Sequence, residues 1–408
     1  MGHSKVVGAI EIGTSKIAIL IGEISSDNTL NIIGHYSGQS KGVKKGIIVD
    51  LELASATVQA CILNAENQAN IKIDEVYLAQ TGMHLEGIFN VGTTNVSASD
   101  NIITQHDVEK AKEDARRPQL AEGRSFINHI QNPFSVDGTK VQNPIHLVGK
   151  RLQVGYWTVH ADSKTLNDFL RVILGVPLTV EDVILSSIAS SNVLLQENEK
   201  NAGALVIDIG GGTTDYALYK EGFIVYTGVI PVGGDHISND LGMGLRTSVE
   251  VADSLKIREG LALGAKQNPQ ENIWLVGNKV IGDREIPRIS ISKIVEARIQ
   301  EIFEIIRGEL EEAKLYNPSQ IGSGAILTGG TSRIEGLDAC AAKVLDIECR
   351  IGECTWDIAD DLNIPEYSTV LGLLSYAVSN NEEDLKKNKQ KSIVNVIRSF
   401  FGTTNLNN

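Results

Sequence analysis

The chain has 408 residues, of which 42% are hydrophobic and 22% charged, and a formal net charge of −14. That length exceeds the size at which one core keeps growing, so two domains of roughly 150 to 200 residues are expected. A mean hydropathy near zero and the lack of any run of about 18 apolar residues argue against an integral membrane protein, and the acidic balance argues against nucleic acid as a partner. Four cysteines (Cys61, Cys340, Cys349, Cys354) are too few and too irregularly spaced for a disulfide framework and read as reduced structural thiols. The N-terminus lacks the zones of a signal peptide, which makes the cytosol the expected compartment.

The first strong pattern is KVVGAIEIGTSKIAILIGEI (residues 5–24), two apolar β-rich runs flanking a turn with Gly13, Thr14 and Ser15. Residues 84–162 then change character: short strand-like runs surround a charged segment at 105–117, as in an inserted module. The opening arrangement returns as ALVIDIGGGTTDYALYKEGFIV (204–225), again with an acid at the end of the first strand, Glu11 in one copy and Asp208 in the other. Two such hairpins half a chain apart predict two homologous halves that each offer a loop to a shared cleft. Residues 290–315 place apolar side chains at 291, 294, 295, 299, 302, 305, 306 and 310, the period of a long amphipathic helix that Ser290 or Ser292 would cap. A third glycine signal, GAILTGGTSRIEGL (324–337), reads as a strand-to-helix turn.

The tail has its own chemistry. After the acidic run Glu382, Glu383, Asp384, residues 386–408 carry Lys386, Lys387, Lys389, Lys391 and Arg398 and no acid. Ile393, Val394, Val396, Ile397, Phe400 and Phe401 fall on an arc of roughly 160° at the helical period. A helix of about a dozen residues is marginal alone in water, so this segment is expected to fold on an apolar surface, a membrane face or a partner. Each basic residue near an anionic leaflet adds about 1 kcal/mol, and residues 379–390 read as a flexible spacer.

Consecutive backbone N–H groups hold phosphate well, and glycine allows the closest approach. Gly210, Gly211 and Gly212 supply such a turn. Thr213 and Thr214, and from the opposite loop Thr14, Ser15 and Lys16, add hydroxyls and a positive charge, so that the pair would clamp a polyphosphate from two sides. Glu11 and Asp208 suit magnesium, which keeps much of its water shell and is held through one or two acids plus phosphate oxygens. Neither G-x-x-x-x-G-K-[ST] nor G-x-G-x-x-G is present, so the nucleotide geometry differs from Walker A and Rossmann sites.

These segments resemble the actin, sugar kinase and DnaK-type chaperone superfamily, whose two phosphate loops and adenosine loop look like IEIGTSK, VIDIGGGTTD and ILTGGTSRIEGL here. Within it the chain resembles the FtsA family of bacterial cell division proteins, on VYLAQTGMHL (76–85), NPIHLVGKRL (143–152), SIASSNVLLQE (187–197) and EYSTVLGLLSYA (366–377). The resemblance covers essentially the whole chain. It implies an actin-like, ribonuclease H-like duplicated α/β fold: a first half at 1–83 and 163–199, an inserted α+β subdomain at 84–162, a second half at 200–229 and 310–378 with a small subdomain at 230–309, a linker at 379–390 and a membrane-targeting helix at 391–402.

It further implies ATP and Mg as cofactors, with the adenosine loop at Gly329, Gly330 and Thr331, and with Asp253 and Lys256 near ribose and base. By resemblance, EARIQE (296–301) is the helix that receives the FtsZ C-terminal tail, through Arg298 and Glu301; a solvated helix face is the other reading. The implied function is assembly into protofilaments on the cytoplasmic face of the inner membrane at the division site, tethering FtsZ filaments and recruiting other division proteins through the inserted subdomain. The membrane contacts would be Lys391, Ile393, Val394, Val396, Ile397, Arg398, Phe400 and Phe401. Where chaperones and MreB carry a water-orienting glutamate the chain has Ser186, which implies at most a slow ATPase. A sugar or acetate kinase and a pilus-assembly actin-like protein are the alternatives.

Overall fold

The computed structural model describes residues 4–263, 268, 270–277 and 282–386. The valine- and isoleucine-rich opening forms β1 (Lys5–Ile12) and β2 (Lys16–Ile24), followed by β3 (Leu30–Gln39) and a small hairpin of β4 (Val43–Lys44) and β5 (Ile47–Ile48). Asp50 then caps α1 (Leu51–Ala69) by accepting the Leu53 N–H at 3.0 Å, and β6 (Glu75–Gln80) follows. The same half resumes with α3 (Ser163–Leu174), β11 (Thr179–Leu185), α4 (Ser186–Leu194) and the short α5 (Glu197–Ala202). Its sheet runs β11-β6-β1-β2-β3, with β1, β2 and β3 antiparallel and β6 and β11 parallel.

The second half repeats this plan. β12 (Ala204–Ile209), β13 (Thr214–Lys220) and β14 (Phe223–Ile230) are antiparallel, and β17 (Ala325–Thr328) and β18 (Cys349–Ile351) continue parallel, in the order β14-β13-β12-β17-β18. Helix α8 (Arg288–Glu312) takes the place of α1, α9 (Leu337–Leu345) that of α3, and α10 (Ser368–Lys386) that of α4. Strand order, direction and connecting helices thus match one for one, as an internal duplication requires.

Each half carries an excursion. Between β6 and α3 lie β7 (Leu85–Asn95), α2 (Gln105–Ala115), β8 (Arg124–Val136), β9 (Thr139–Val141) and β10 (Arg151–Asp162), a sheet of order β7-β10-β8-β9. It has its own core, around Val108, Phe134, Leu152 and Tyr156. Its buried Trp157 donates Nε1–H to Thr227 Oγ1 of β14 at 2.9 Å, so this subdomain also leans on the second half. Between β14 and α8 lie α6 (Gly234–Gly244), α7 (Val249–Glu259), β15 (Asn272–Leu275) and β16 (Arg284–Pro287).

Three expectations change. The long helix begins at Arg288 with Pro287 before it and no side-chain cap; Ser292 is buried inside it, so neither serine caps. Residues 368–378 were expected in the second half, but Val370, Leu371, Leu373, Leu374 and Ala377 bury into the first half's core, because α10 lies against α4, β1, β2 and β6. The spacer expected from 379 is helical as far as Lys386. Ser379 Oγ donates to Ser375 O at 3.2 Å and Asn381 Nδ2 to Asn28 Oδ1 at 3.0 Å, the second tying the helix to the β2–β3 turn. Residues 387–402, with the amphipathic segment, lie outside the described residues.

Candidate functional site

The two glycine turns have one geometry. In β1–β2 the Gly13 N–H donates to Lys16 O at 2.9 Å, leaving Thr14 and Ser15 at the tip; in β12–β13 the Gly210 N–H donates to Thr213 O at 2.9 Å, leaving Gly211 and Gly212. The tips face each other so closely that a Cβ on Gly211 would strike Ser15 Oγ and one on Gly212 would strike Thr14 Oγ1. Glycine at both positions is therefore a condition for the two halves to meet here. Ser15 Oγ also donates to Asp235 Oδ1 at 3.1 Å, while the Gly234 and Asp235 N–H groups at the start of α6 donate to Gly210 O and Gly211 O.

Beneath the tips lies a group of acids, with Asp208 and Asp215 buried and Glu11 half-buried. Asp208 Oδ2 accepts from Ser190 Oγ of α4 at 2.7 Å and from Thr369 Oγ1 of α10 at 2.9 Å. Glu11 Oε2 lies 3.4 Å from Lys16 Nζ, and Lys16 also donates to Glu366 O. Asp215, opposite Asp208 across the β12–β13 ladder, accepts from Thr81 Oγ1 at 2.5 Å, and its Oδ1 is buried without a hydrogen-bond partner. Burial pushes all three carboxyls above their ordinary range; Lys16 opposes this for Glu11, the two hydroxyls for Asp208 and Thr81 for Asp215, whereas the charge of Asp208 adds to the rise at both Glu11 and Asp215. A cation placed among them would relieve that repulsion. No cluster of three or more His, Cys, Asp or Glu side chains able to cage a metal occurs among the described residues.

The third glycine turn completes the cleft. Gly329 sits over Asp208 and Ile209 O, and Thr331 Oγ1 donates to Gly210 O at 2.9 Å. Lys256 Nζ bonds Asp253 Oδ1 at 2.6 Å, Ser238 Oγ at 2.9 Å and Gly234 O at 3.2 Å, within 3.5 Å of the point where a Gly234 Cβ would stand beside Thr331. Glu11, Gly13 to Lys16, Asp208, Gly210 to Thr214, Asp253, Lys256 and Gly329 to Thr331 are thereby brought to one cleft. Thr214 differs in role: strand alternation turns its side chain away, and its hydroxyl donates to Val232 O at 2.8 Å, leaving none for a phosphate. Asp215, Thr81, Ser190 and Thr369 escaped the motif reading. Asp215 alone carried a signal, since pairing Gly210 with Thr213 sets it opposite Asp208.

Arg298 and Glu301 lie elsewhere, on α8. Arg298 Nε and Nη2 reach Asp240 of α6 at 2.6 and 3.1 Å and Nη1 bonds Glu301, so this arginine clamps α8 of the second half to α6 of its excursion. Ser186 opens α4, is buried and donates to Gln80 O at 3.1 Å.

The chain matches the family model of cell division protein FtsA over residues 205–372 and that of the SHS2 domain inserted in FtsA over 82–160. It is 31% identical to cell division protein FtsA of Escherichia coli strain K12 over 400 residues, 95% of each chain. The chain belongs to the FtsA family. Its likeness extends to FtsA of Borreliella burgdorferi, 30% identical with 98% of this chain and 96% of that one covered. Among solved structures this FtsA-family chain is similar to the PilM–PilN type IV pilus biogenesis complex (TM-score 0.61, 15% identity, 91% of this chain and 98% of that one) and to MreB5 of Spiroplasma citri bound to ADP (TM-score 0.55, 14% identity, 94% and 99%). At that identity the likeness carries the fold, which is actin-like. No described helix is long and apolar enough to cross a membrane.

Proposed function

We propose that this chain binds ATP between its two halves, assembles into protofilaments on the cytoplasmic membrane and tethers FtsZ filaments there. The observation that carries the nucleotide reading is the pair of facing hairpins, whose tips leave no room for a Cβ and stand above the buried Asp208 and Asp215 and the half-buried Glu11. Solved structures of MreB5 of Spiroplasma citri, of the same fold, are described as bound to ADP and to AMPPNP. In this chain Gly211 and Gly212 would present amides to phosphate, with Thr14, Ser15 and Thr213 adding hydroxyls and Lys16 charge. Asp253, Lys256, Gly329, Gly330 and Thr331 would surround the nucleoside.

Magnesium fits the same place. Glu11 and Asp208, now joined by Asp215 with its unpartnered Oδ1, would hold it through water. When bound, it would screen the phosphate charges from the acids below. Ser186 offers no carboxylate where chaperones and MreB keep one, so hydrolysis is expected to be slow and the cleft to act as a switch for assembly.

The partner and membrane readings rest on family membership and on the tail sequence. The Arg298–Glu301 helix is the proposed seat of the FtsZ tail, the inserted subdomain that of other division proteins, and residues 391–402 the lipid anchor, reversible because one short amphipathic helix binds weakly. Electron microscopy on an anionic lipid monolayer tests the combination. Filaments are expected with ATP and the intact tail, and are expected to vanish in the Phe400→Glu plus Phe401→Glu variant; equal filament density for that variant would contradict the membrane reading.

A further inference from the structure

The cations that face the cleft are largely committed. Lys16 is held by Glu11 and the Glu366 carbonyl, and Lys256 by Asp253, Ser238 and the Gly234 carbonyl. A polyphosphate entering between the hairpins would still face three acids, Glu11, Asp208 and Asp215. One further lysine stands at the mouth, on a segment that no glycine motif marks.

That segment is KGVKKG, residues 41–46. Strands β4 and β5 join through a two-residue turn, Lys45 and Gly46, with φ of 51° and 72°, the left-handed pair that suits a tight hairpin. The neck is fixed by the Val49 and Asp50 N–H groups, which donate to Gly42 O at 2.8 and 3.1 Å. The apex is fixed as well: a Cβ on Gly46 would stand 2.9 Å from Gly82 Cα and from Thr81 O.

This segment and Ser40, the residue before it, hold both tip residues of the first hairpin. The Gly46 N–H donates to Thr14 Oγ1 at 3.2 Å, and the Ser40 N–H donates to Ser15 O at 3.0 Å. Lys45 is therefore one residue from an amide bonded to the phosphate loop. It is half-buried and forms no ion pair among the described residues. Its charge also reaches across the cleft: the His236 imidazole, near the start of α6, is held below its ordinary range by burial and then by Lys45 and Arg298. The preceding amides, Gly234 and Asp235, are those bonded to Gly210 O and Gly211 O.

We propose that Lys45 is a phosphate-binding residue, carried on a third loop, whose ammonium meets the terminal phosphates of a nucleoside triphosphate between the Thr14–Ser15 and Gly211–Gly212 tips. The wedged hairpin sets the position of its backbone, and the flexible stem lets the ammonium follow the phosphate as a point charge. The proposal rests on the ATP reading. Because the nucleoside end is assigned to the second half, at Lys256 and Thr331, a lysine from the first half beside Thr14 would contact the phosphate end.

Equilibrium titration of the full-length protein with ATP, ADP and adenosine, for wild type, Lys45→Ala and Lys45→Arg, tests it. Lys45→Ala is expected to weaken ATP about tenfold, ADP less and adenosine not at all, with an unchanged unfolding temperature; Lys45→Arg is expected to stay within about threefold of wild type. Wild-type ATP affinity in Lys45→Ala overturns the proposal and leaves the ATP reading standing. Equal weakening of ATP and adenosine also overturns it, since that marks a distorted cleft. Failure of the wild type to bind ATP removes the ATP reading and the proposal together.

Discussion

Asp182 on β11 illustrates what burial does to one carboxyl. Burial pushes it up to about 6, against the opposing hydrogen bonds from the Tyr376 hydroxyl (2.9 Å) and the Val183 N–H (2.8 Å), while the Glu181 charge adds to the rise. A native pKa above the unfolded value of about 3.9 means that the folded state holds the proton more tightly. The associated stability is complete below about pH 4, is lost as pH rises toward 6, and leaves a net cost at neutral pH. Asp182→Asn keeps the shape and removes the charge, so it is expected to raise stability at pH 7.5 by on the order of 2 kcal/mol, read as a rise of a few degrees in Tm. At pH 4 the gain should disappear; an equal gain at both values would contradict the assignment. Burial pushes Asp215 up in the same way, and its Oδ1 has no hydrogen-bond partner.

Helices α4 and α10, the closing helices of the two halves, cross beside the cleft and give Ser190 and Thr369 to Asp208. Their approach is close at Gly372, where a Cβ would run into the Ala189 carbonyl. Gly372→Ala is therefore expected to cost about 1 to 3 kcal/mol through overpacking, whereas Gly308→Ala in α8, with nothing within 4 Å of its Cβ, should gain up to about 1 kcal/mol from helix propensity. Thermal unfolding separates the two, and a Tm that falls for neither would contradict the crossing. At this scale the sequence was readable where periodicity is strong: the glycine hairpins and the amphipathic α8 stand close to where their patterns predict, whereas the charged segment at 105–117 gave no sign that it forms the helix α2. It misled where composition replaced pattern. Residues 379–390 read as a spacer because their composition is polar, yet α10 continues to Lys386, since polar composition does not by itself end a helix. The place of α10 in the first half's core was hidden for another reason: burial of Val370, Leu371, Leu373 and Leu374 fixes that the helix is covered, and not by which sheet.

The whole molecule is two copies of one β-β-β-α-β-α-β-α plan with an excursion in each, set so that equivalent hairpins meet tip to tip. The duplication was visible in the sequence as two acids and two glycine turns 197 residues apart, from Glu11 to Asp208. The facing arrangement was only implied, since contact between Thr14 and Gly212 is a long-range fact that no local pattern encodes. The third loop with Lys45 and the hydroxyls of Thr81, Ser190 and Thr369 were not legible for the same reason. They come from the β4–β5 turn, the residue after β6, α4 and α10, none of which the glycine motifs mark. If a nucleotide is gripped from both halves at once, amide hydrogen exchange with and without Mg–ATP reports it most directly. Protection is predicted to rise together in peptides covering residues 11–17, 208–215 and 329–331, whereas protection confined to one hairpin, or to neither, would contradict a shared cleft.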